Sequence, residues 1–532
     1  MTPRRRVTPR RRVPFRGRIK VRRGGADRTH VKVSGRARRL SPWTVLVRTL
    51  RELAVLVVAA AIGLLVGGLG VGLLLTLCGV LAGLGHSALR WAAFTYTMHD
   101  DRIELRHSFV RRSVKIIPFD RIRGVDISTT MPHRLLGVAV VHIDAAAGKE
   151  GQDDGKLDAV SRADAERVRH ALLGSTATSS ADLPATGVVH ARASLRWFLY
   201  APLSGAYLLT PFAVVGSAAG TLYNVGDDLG LITRRRVEHL GHDLAGMPST
   251  VALSVMIALV LAMPLASVVA FALFNWDFTL RSTDGEAPGG AVIAERGLLT
   301  RRSVALERRR IRGVALLDNP VERLAGVVRL DALVTGLGRA EHRGRLLPAV
   351  PRGLAQTVAA QLLATSRQAS SPETVPPLVS HPRAARSRRV VRAVVPFLAA
   401  AGMAAFLGRT DLAYLLVVLA LLGIPLGLDR YRQLGHYSGN GCLSVRSGSL
   451  RRHQIVVEHR AIVGWRLSQT LFQRRLGLAT LDAAVGAGHG GCPAIDMAES
   501  DAVTLARDVT PDWIVPFLEV PESVTRAGGR RT

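Results

Sequence analysis

The sequence predicts an α+β multidomain membrane protein: six transmembrane helices in three hairpins, each followed by a small β-rich domain that closes with a helix. Three observations lead there. Apolar residues make up 48% of the 532 and charged residues 21%, so the apolar ones must be segregated into blocks. The long apolar blocks come in pairs. The soluble stretches between the pairs share one spaced motif.

The first element is a basic tail, residues 1–40, with 14 Arg and 2 Lys against one Asp; the whole chain carries a formal +31. T-P-R-R-R-V stands twice in tandem, at 2–7 and 8–13. Such a segment offers too little apolar surface to offset its ordering entropy and is expected to be disordered. It lacks the apolar core and cleavage site of a signal peptide. It reads as a solvated tail that favours a cytoplasmic N-terminus, as the product of an upstream start codon, or as an arm for anionic lipid or nucleic acid.

Crossing about 30 Å of hydrocarbon takes roughly 20 apolar residues. Leu53 to Gly85 has no charge and is too long for one span, so it folds back as a hairpin over 50–94. The second hairpin occupies 197–276, from the blocks Trp197–Tyr223 and Val251–Trp276. The third occupies 390–428, from Val390–Leu407 and Leu412–Leu428, split only by G-R-T-D. Backbone groups in lipid must be satisfied internally, so the spans are helices. Pro202, Pro211, Pro264, Pro396 and Pro425 are expected to kink them. Gly63-x-x-x-Gly67 and its neighbours allow close helix approach. Arginine is rich in the tail and after each hairpin, which puts the tail and the soluble domains on the cytoplasmic side of the plasma membrane. Arg234–Arg236, within the second hairpin, is the one discordant cluster.

The soluble domains are 95–190, 277–385 and 431–525, and they repeat. Gly124 and Gly137 are 13 residues apart, as are Gly313 and Gly326, and Gly464 and Gly477. An arginine sits three residues before each second glycine: Arg134, Arg323 and Arg474. Arginine pairs (Arg111-Arg112, Arg301-Arg302, Arg451-Arg452) precede each first glycine. Short runs of β-formers such as Ile103–Val110, Leu443–Leu450 and Ile455–Glu458 read as strands, with turns at Asn440-Gly441, Asp284-Gly285 and Pro288-Gly289-Gly290. A closing helix begins at the capping box Ser161–Asp164, another at Pro351, and a third is capped by Asp496 and Glu499 and presents Ala502, Leu505 and Val509. The second glycine of each pair is expected where a β-carbon would be crowded.

This order of an Arg-Arg strand, R-I-x-G-V, a short link, R-x-x-G-(L/V)-A, a strand and a capped helix resembles the bacterial pleckstrin-homology-like (PH-like) domain of type 2. Its pairing with two preceding spans resembles the YdbS/YdbT group of membrane proteins. His459–Leu481 carries the likeness best, and it extends from about residue 38 to 515. The resemblance implies three PH-like domains and a binding role without enzymatic activity.

No residue set carries chemistry. Sixteen histidines are scattered without ligand spacing, and the three cysteines form neither a disulfide framework nor a zinc motif. No metal or cofactor is implied. Gly85-His86-Ser87 raises an intramembrane serine hydrolase, but its base is next door in sequence and points to another helix face. His489-Gly490-Gly491 reads as a turn. The middle domain is the basic one, 16 Arg against 10 acids over 277–385, so Arg301, Arg302, Arg308, Arg309 and Arg310 are candidate contacts for an anionic ligand. The expected partners are membrane lipids and an unidentified protein, with nucleic acid disfavoured by the sparse aromatics. The three homologous domains are also expected to pack on one another as a pseudo-trimer. The reading is a membrane-tethered scaffold; the alternative is transport or lipid handling through the Pro-kinked spans.

Overall fold

The computed structural model describes residues 38–43, 45, 77–108 (without 80, 90 and 100), 112–145, 155–173, parts of 188–223, 246, 248–283, 290–335, 344–364, 378–487 and 491–518. The basic tail up to residue 37, the glycine pairs before residue 77, Arg234–Arg236 and the turns at 284–289 lie outside them.

One unit is built three times. The first opens with β1 (Arg38–Arg39) and, after its apolar stretch, continues with β2 (Phe94–Met98), β3 (Arg102–Ser108) and β4 (Arg112–Pro118). A 3-10 turn leads into β5 (Ile122–Thr129), α1 (Met131–Leu135), β6 (Val138–Ala145), β7 (Lys156–Ser161) and the closing helix α2 (Arg162–Leu173). The second unit has β8 (Val188–Arg192), the long helix α3 (Ser249–Asn275), β9 (Thr279–Ser282), β10 (Ala291–Arg296) and β11 (Arg301–Glu307). Then follow β12 (Ile311–Asp318), α4 (Pro320–Leu324), β13 (Val327–Val334), β14 (Arg345–Pro351) and α5 (Arg352–Ala364). The third has α6 (Arg383–Phe406), α7 (Thr410–Arg432), β15 (Gly435–Gly439), β16 (Cys442–Ser447), β17 (Arg452–Glu458) and β18 (Ile462–Ser468). It ends with α8 (Leu471–Arg475), β19 (Leu478–Val485), β20 (Gly491–Ala498) and α9 (Glu499–Val509).

Each unit begins upstream of its apolar segment. β1 pairs with β2, β8 with β9, and Val379 bridges to His436 of β15. Residues 188–190, assigned from sequence to the first domain, are therefore the edge of the second. The strand before that segment thus pairs with the strand after it, so both ends of the segment are fixed on the domain it serves.

Inside each unit two sheets enclose an apolar core, and the period-2 pattern decides which side faces in. In β19, Ala479, Leu481, Ala483 and Val485 face the core and are buried. α9 buries Ala502, Leu505, Ala506 and Val509 at helical spacing. Its cap is Ala498, however. Asp496 sits at φ +61 inside β20 and faces arginines instead. The Ser161 cap forms as expected, its hydroxyl accepting from the Asp164 N–H at 3.1 Å. The turn Asn440-Gly441 has both residues at positive φ, the twist a two-residue hairpin needs.

Among the described residues three helices are long and apolar enough to cross a membrane: α3, α6 and α7. They belong to the second and third units, while 77–89 is a shorter apolar helical stretch. α6 and α7 lie side by side where alanine and glycine remove side-chain bulk. A β-carbon on Gly423 would approach the Ala393 carbonyl oxygen to 2.6 Å, and one on Gly427 the Val390 Cα to 2.8 Å. The block read from Trp197 as membrane begins differently. Leu195–Leu203 is a 3-10 segment whose Trp197 is buried in the second domain, 5.8 Å from the Phe278 ring. Its aromatic residues belong to the base of the hairpin, where a domain core competes successfully with lipid.

Candidate functional site at the joints between domains

The three domains are welded by their sheets. β5 of the first pairs antiparallel with β11 of the second, giving the seven-stranded order β7-β6-β5-β11-β10-β9-β8. β12 of the second pairs with β17 of the third, giving β14-β13-β12-β17-β16-β15. The register is the same at both joints. Gly124 stands opposite Leu306, and Gly313 opposite Val457. Leu306 and Val457 each lie two residues before the 3-10 turn of their own domain.

The first glycine of the repeat belongs to this geometry. It sits at a bulge in β5, β12 and β18, and at the joints the next domain occupies the space a side chain would need. A β-carbon on Gly313 would overlap the Val456 carbonyl and lie 2.9 Å from Val457 Cγ1; on Gly124 it would meet the Ala305 oxygen at 3.3 Å. The second glycine has a different role from the one expected. Gly137, Gly326 and Gly477 have φ of +65, +67 and +61, and nothing lies within 4 Å of their β-carbon positions. They end the short helices α1, α4 and α8 in a left-handed conformation; crowding plays no part.

The repeated arginine crosses the joint. Arg134 donates to the Leu298 carbonyl at 2.9 Å, in the β10–β11 turn of the next domain. Arg323 donates to the Ser449 carbonyl at 3.0 Å in the matching β16–β17 turn, and pairs with Asp429 at the base of α7 at 3.2 Å. The second lock is an arginine on the incoming strand against an acid on the resident one. Arg302 approaches Asp126 to 3.4 Å. Arg452 holds Asp318 with two guanidinium nitrogens, Nε at 2.7 Å, both side chains buried. Arg352 adds a third charge 3.8 Å from Asp318 and donates to Gln454 at 3.1 Å. Burial first, and Arg452 second, push the Arg352 guanidinium below its usual range.

At the first joint the corresponding space is open. Thr129 occupies the position of Asp318, and a cleft of about 320 Å³ remains, lined among others by His133, Arg134, Arg162, Glu166, Glu295 and Arg301. Arg162, the counterpart of Arg352, is exposed, and its side chain makes no hydrogen bond or ion pair among the described residues. Glu295 accepts from Arg281 at 2.9 Å and Arg301 at 3.3 Å. Burial works to raise its pKa, but those guanidiniums outweigh it and hold the carboxyl below the usual range. Burial lowers the pKa of His133, which shares a 2.5 Å hydrogen bond with Thr130. The cleft therefore presents arginine donors with their charge only partly offset by Glu166 and Glu295.

The five candidate arginines do not form one patch. Arg301 lines the cleft and Arg302 locks the joint. Arg308–Arg310 follow the far end of β11, roughly 20 Å away at 3.3 Å per residue. Arg308 donates to the Gln361 carbonyl at 3.1 Å and Arg310 bonds Glu307, while Arg309 is exposed. Sequence reasoning missed Asp126, Arg162 and Asp318; an acid inside an otherwise apolar strand (I-R-G-V-D-I-S-T, I-R-G-V-A-L-L-D) was the available signal.

Of the other motifs, the Ser87 hydroxyl is buried with no hydrogen-bond partner among the described residues. Among those residues no three His, Cys, Asp or Glu side chains are grouped to hold a metal ion. Two histidines do meet: His436 Nδ1 lies 3.3 Å from His381 Nε2, and His381 Nδ1 donates to the Ile495 carbonyl at 2.9 Å. The pair ties the entry of α6 to the third domain.

Three stretches, 49–176, 228–366 and 390–508, match the family model described as "Bacterial PH domain", together more than half of the chain. No curated protein and no solved structure matches.

Proposed function

This chain belongs to the bacterial PH domain family, and from that premise we propose that it is a non-enzymatic, membrane-tethered scaffold whose three domains engage a protein partner or lipid headgroups at the inner leaflet. Six spans in three hairpins hold the domains on the cytoplasmic face of the plasma membrane. The observation that carries this reading is the welding of the domains: sheets continuous across both joints, locked by Arg302–Asp126 and Arg452–Asp318, make one stiff row rather than three tethered beads. Stiffness suits a platform, because surfaces that are already ordered pay less entropy on binding. The docking point is the cleft at the first joint, where Arg134, Arg162 and Arg301 face space that Asp318 and Arg352 fill at the second. A carboxylate or phosphate suits guanidinium donors.

The test is capture of the full-length chain from its own membranes in lipid nanodiscs, with mass spectrometry of co-purifying proteins and lipids. A partner or anionic lipid is expected in stoichiometric amount, and Arg162→Glu is expected to lower its recovery about fivefold, the effect of roughly 1 kcal/mol at a partly exposed charge. A bound molecule indifferent to Arg162 but lost on changes within α3, α6 or α7 would sink the scaffold reading in favour of transport or lipid handling.

A further inference from the structure

Two joints need two resident strands and two incoming strands, yet three domains supply three of each. The strands left over are β18, the counterpart of β5 and β12, and β4, the counterpart of β11 and β17. Both are sheet edges: β4 ends the order β1-β2-β3-β4, and β18 ends β18-β19-β20. Exposed edge strands are a hazard that proteins usually blunt or cover.

These edges carry the features of a joint without its partner. Where β12 is buried on both faces, Val314 and Leu316 toward the second domain's core and Ala315 and Leu317 toward the third's, β18 leaves Val463 67% and Leu467 45% exposed. β4 leaves Val114 and Ile116 each 53% exposed. Gly464 sits at the same bulge as Gly124 and Gly313, but a β-carbon there would meet nothing within 4 Å. Arg474, the repeat of Arg134 and Arg323, is exposed, and its side chain makes no hydrogen bond or ion pair among the described residues. A bulge glycine and a joint arginine are kept in a domain that has no successor among the described residues.

We infer that a second copy of this chain supplies the successor: β18 of one copy pairs antiparallel with β4 of the next. The occupant follows from continuity with the two joints already made, since each takes the strand that precedes a PH-like domain's 3-10 turn. The register follows too. Gly124 opposite Leu306 and Gly313 opposite Val457 place Gly464 opposite Ile117, which stands two residues before its own turn. Trp465, half-buried against its own core, then faces Ile116, and the exposed Leu467 faces the exposed Val114. Arg474 reaches a backbone carbonyl of the incoming copy as Arg134 and Arg323 do within the chain. The interface is heterologous, and copies anchored in one membrane extend it as a ring or a row in the membrane plane.

The experiment uses the full chain in its native membrane with Cys78→Ser, because Cys442 and Cys492 are buried. Two differently tagged copies are co-expressed, one with Val114→Cys and one with Leu467→Cys, and treated with a short bis-thiol crosslinker. Directly opposite residues have Cβ atoms about 5 Å apart, so a product carrying both tags is expected. Gly464→Val is expected to lower its yield at least tenfold, by the overlap that Gly313 avoids, with thermal unfolding unchanged because the site is open in the single chain. Absence of a two-tag product overturns the proposal. So does a doubly substituted chain that links only to itself, which would mean one chain closes its own ring. A Gly464→Val variant that crosslinks as well as its parent excludes strand pairing.

Discussion

The second joint offers the sharpest test of how the domains are held, because the value of its ion pair depends on burial. Arg452 and Asp318 have side chains only 8% and 4% exposed, and Arg452 also donates to Gln433 at 2.9 Å. In Asp318→Asn the amide nitrogen is turned toward guanidinium donors, one hydrogen bond is lost, and the Arg452 charge stays buried. Removing one partner of a buried pair costs about 3–5 kcal/mol. Gln433 keeps part of the guanidinium satisfied, so the lower end applies, about 3 kcal/mol. An exposed pair would be worth at most about 1 kcal/mol. A chain of several domains does not unfold in one step, so the assay is amide hydrogen exchange in nanodiscs, read at the β12–β17 ladder. About 3 kcal/mol corresponds to roughly a hundredfold loss of protection, against about fivefold for an exposed pair. Replacing both members by apolar residues, Asp318→Leu with Arg452→Met, is expected to restore protection to within about fivefold of the parent, since a well-packed apolar pair removes the desolvation cost with the attraction. If Asp318→Asn leaves β12–β17 protection within fivefold, or if the double replacement is as damaging as the single one, the reasoning fails.

Other outcomes follow from the same geometry. Burial first, then the charge of His436, hold His381 down to about 4, well below the ordinary 6.5 of a histidine. Between those values the unfolded chain takes up a proton that the folded one refuses. The contribution is therefore complete above about pH 6.5 and lost as pH falls toward 4, a total of roughly 3 kcal/mol. Thermal unfolding of the third domain should weaken over that window, and His381→Gln should flatten the dependence. Asp496, fully buried, accepts from Arg389 at 2.7 Å, from Gln473 at 2.8 Å and from Arg388. Asp496→Asn keeps a residue tolerant of φ +61 but loses the charge, and should free the base of α6 by about 3 kcal/mol, seen as faster exchange or proteolysis there. Gly326→Ala meets no atom and pays only for φ +67, about 1–2 kcal/mol. Gly313→Ala meets the Val456 carbonyl and should cost more in β12–β17 protection; equal losses at the two glycines would contradict the separate roles given to them.

Much of the fold was legible because it is written in periodicity and spacing. The hairpin break at G-R-T-D, the strand at Ile455–Glu458 and the closing helix with Ala502, Leu505 and Val509 all arise from local patterns that the structure repeats. The joints were less legible because they are tertiary. R-x-x-G looks like a strand link in any one copy, and its glycine does only local work at φ +65 to +67 in the first two copies. Only a neighbouring domain reveals that the arginine reaches a carbonyl beyond the unit, 164 residues away for Arg134 and 126 for Arg323. Yet the strands themselves do record their surroundings. β12, I-R-G-V-A-L-L-D, has apolar residues on both faces, as a strand between two cores must. β18, I-V-G-W-R-L-S, puts Arg466 and Ser468 where β12 has Ala315 and Leu317. A third domain whose β18 never met another strand would have no reason to keep the bulge glycine at 464 or, at 474, an arginine whose side chain makes no hydrogen bond or ion pair among the described residues. A third domain always covered by the same intimate joint would carry the apolar second face of β12. Its sequence lies between those limits, which is what a reversible contact between copies requires: geometry retained, with a polar edge that can return to water.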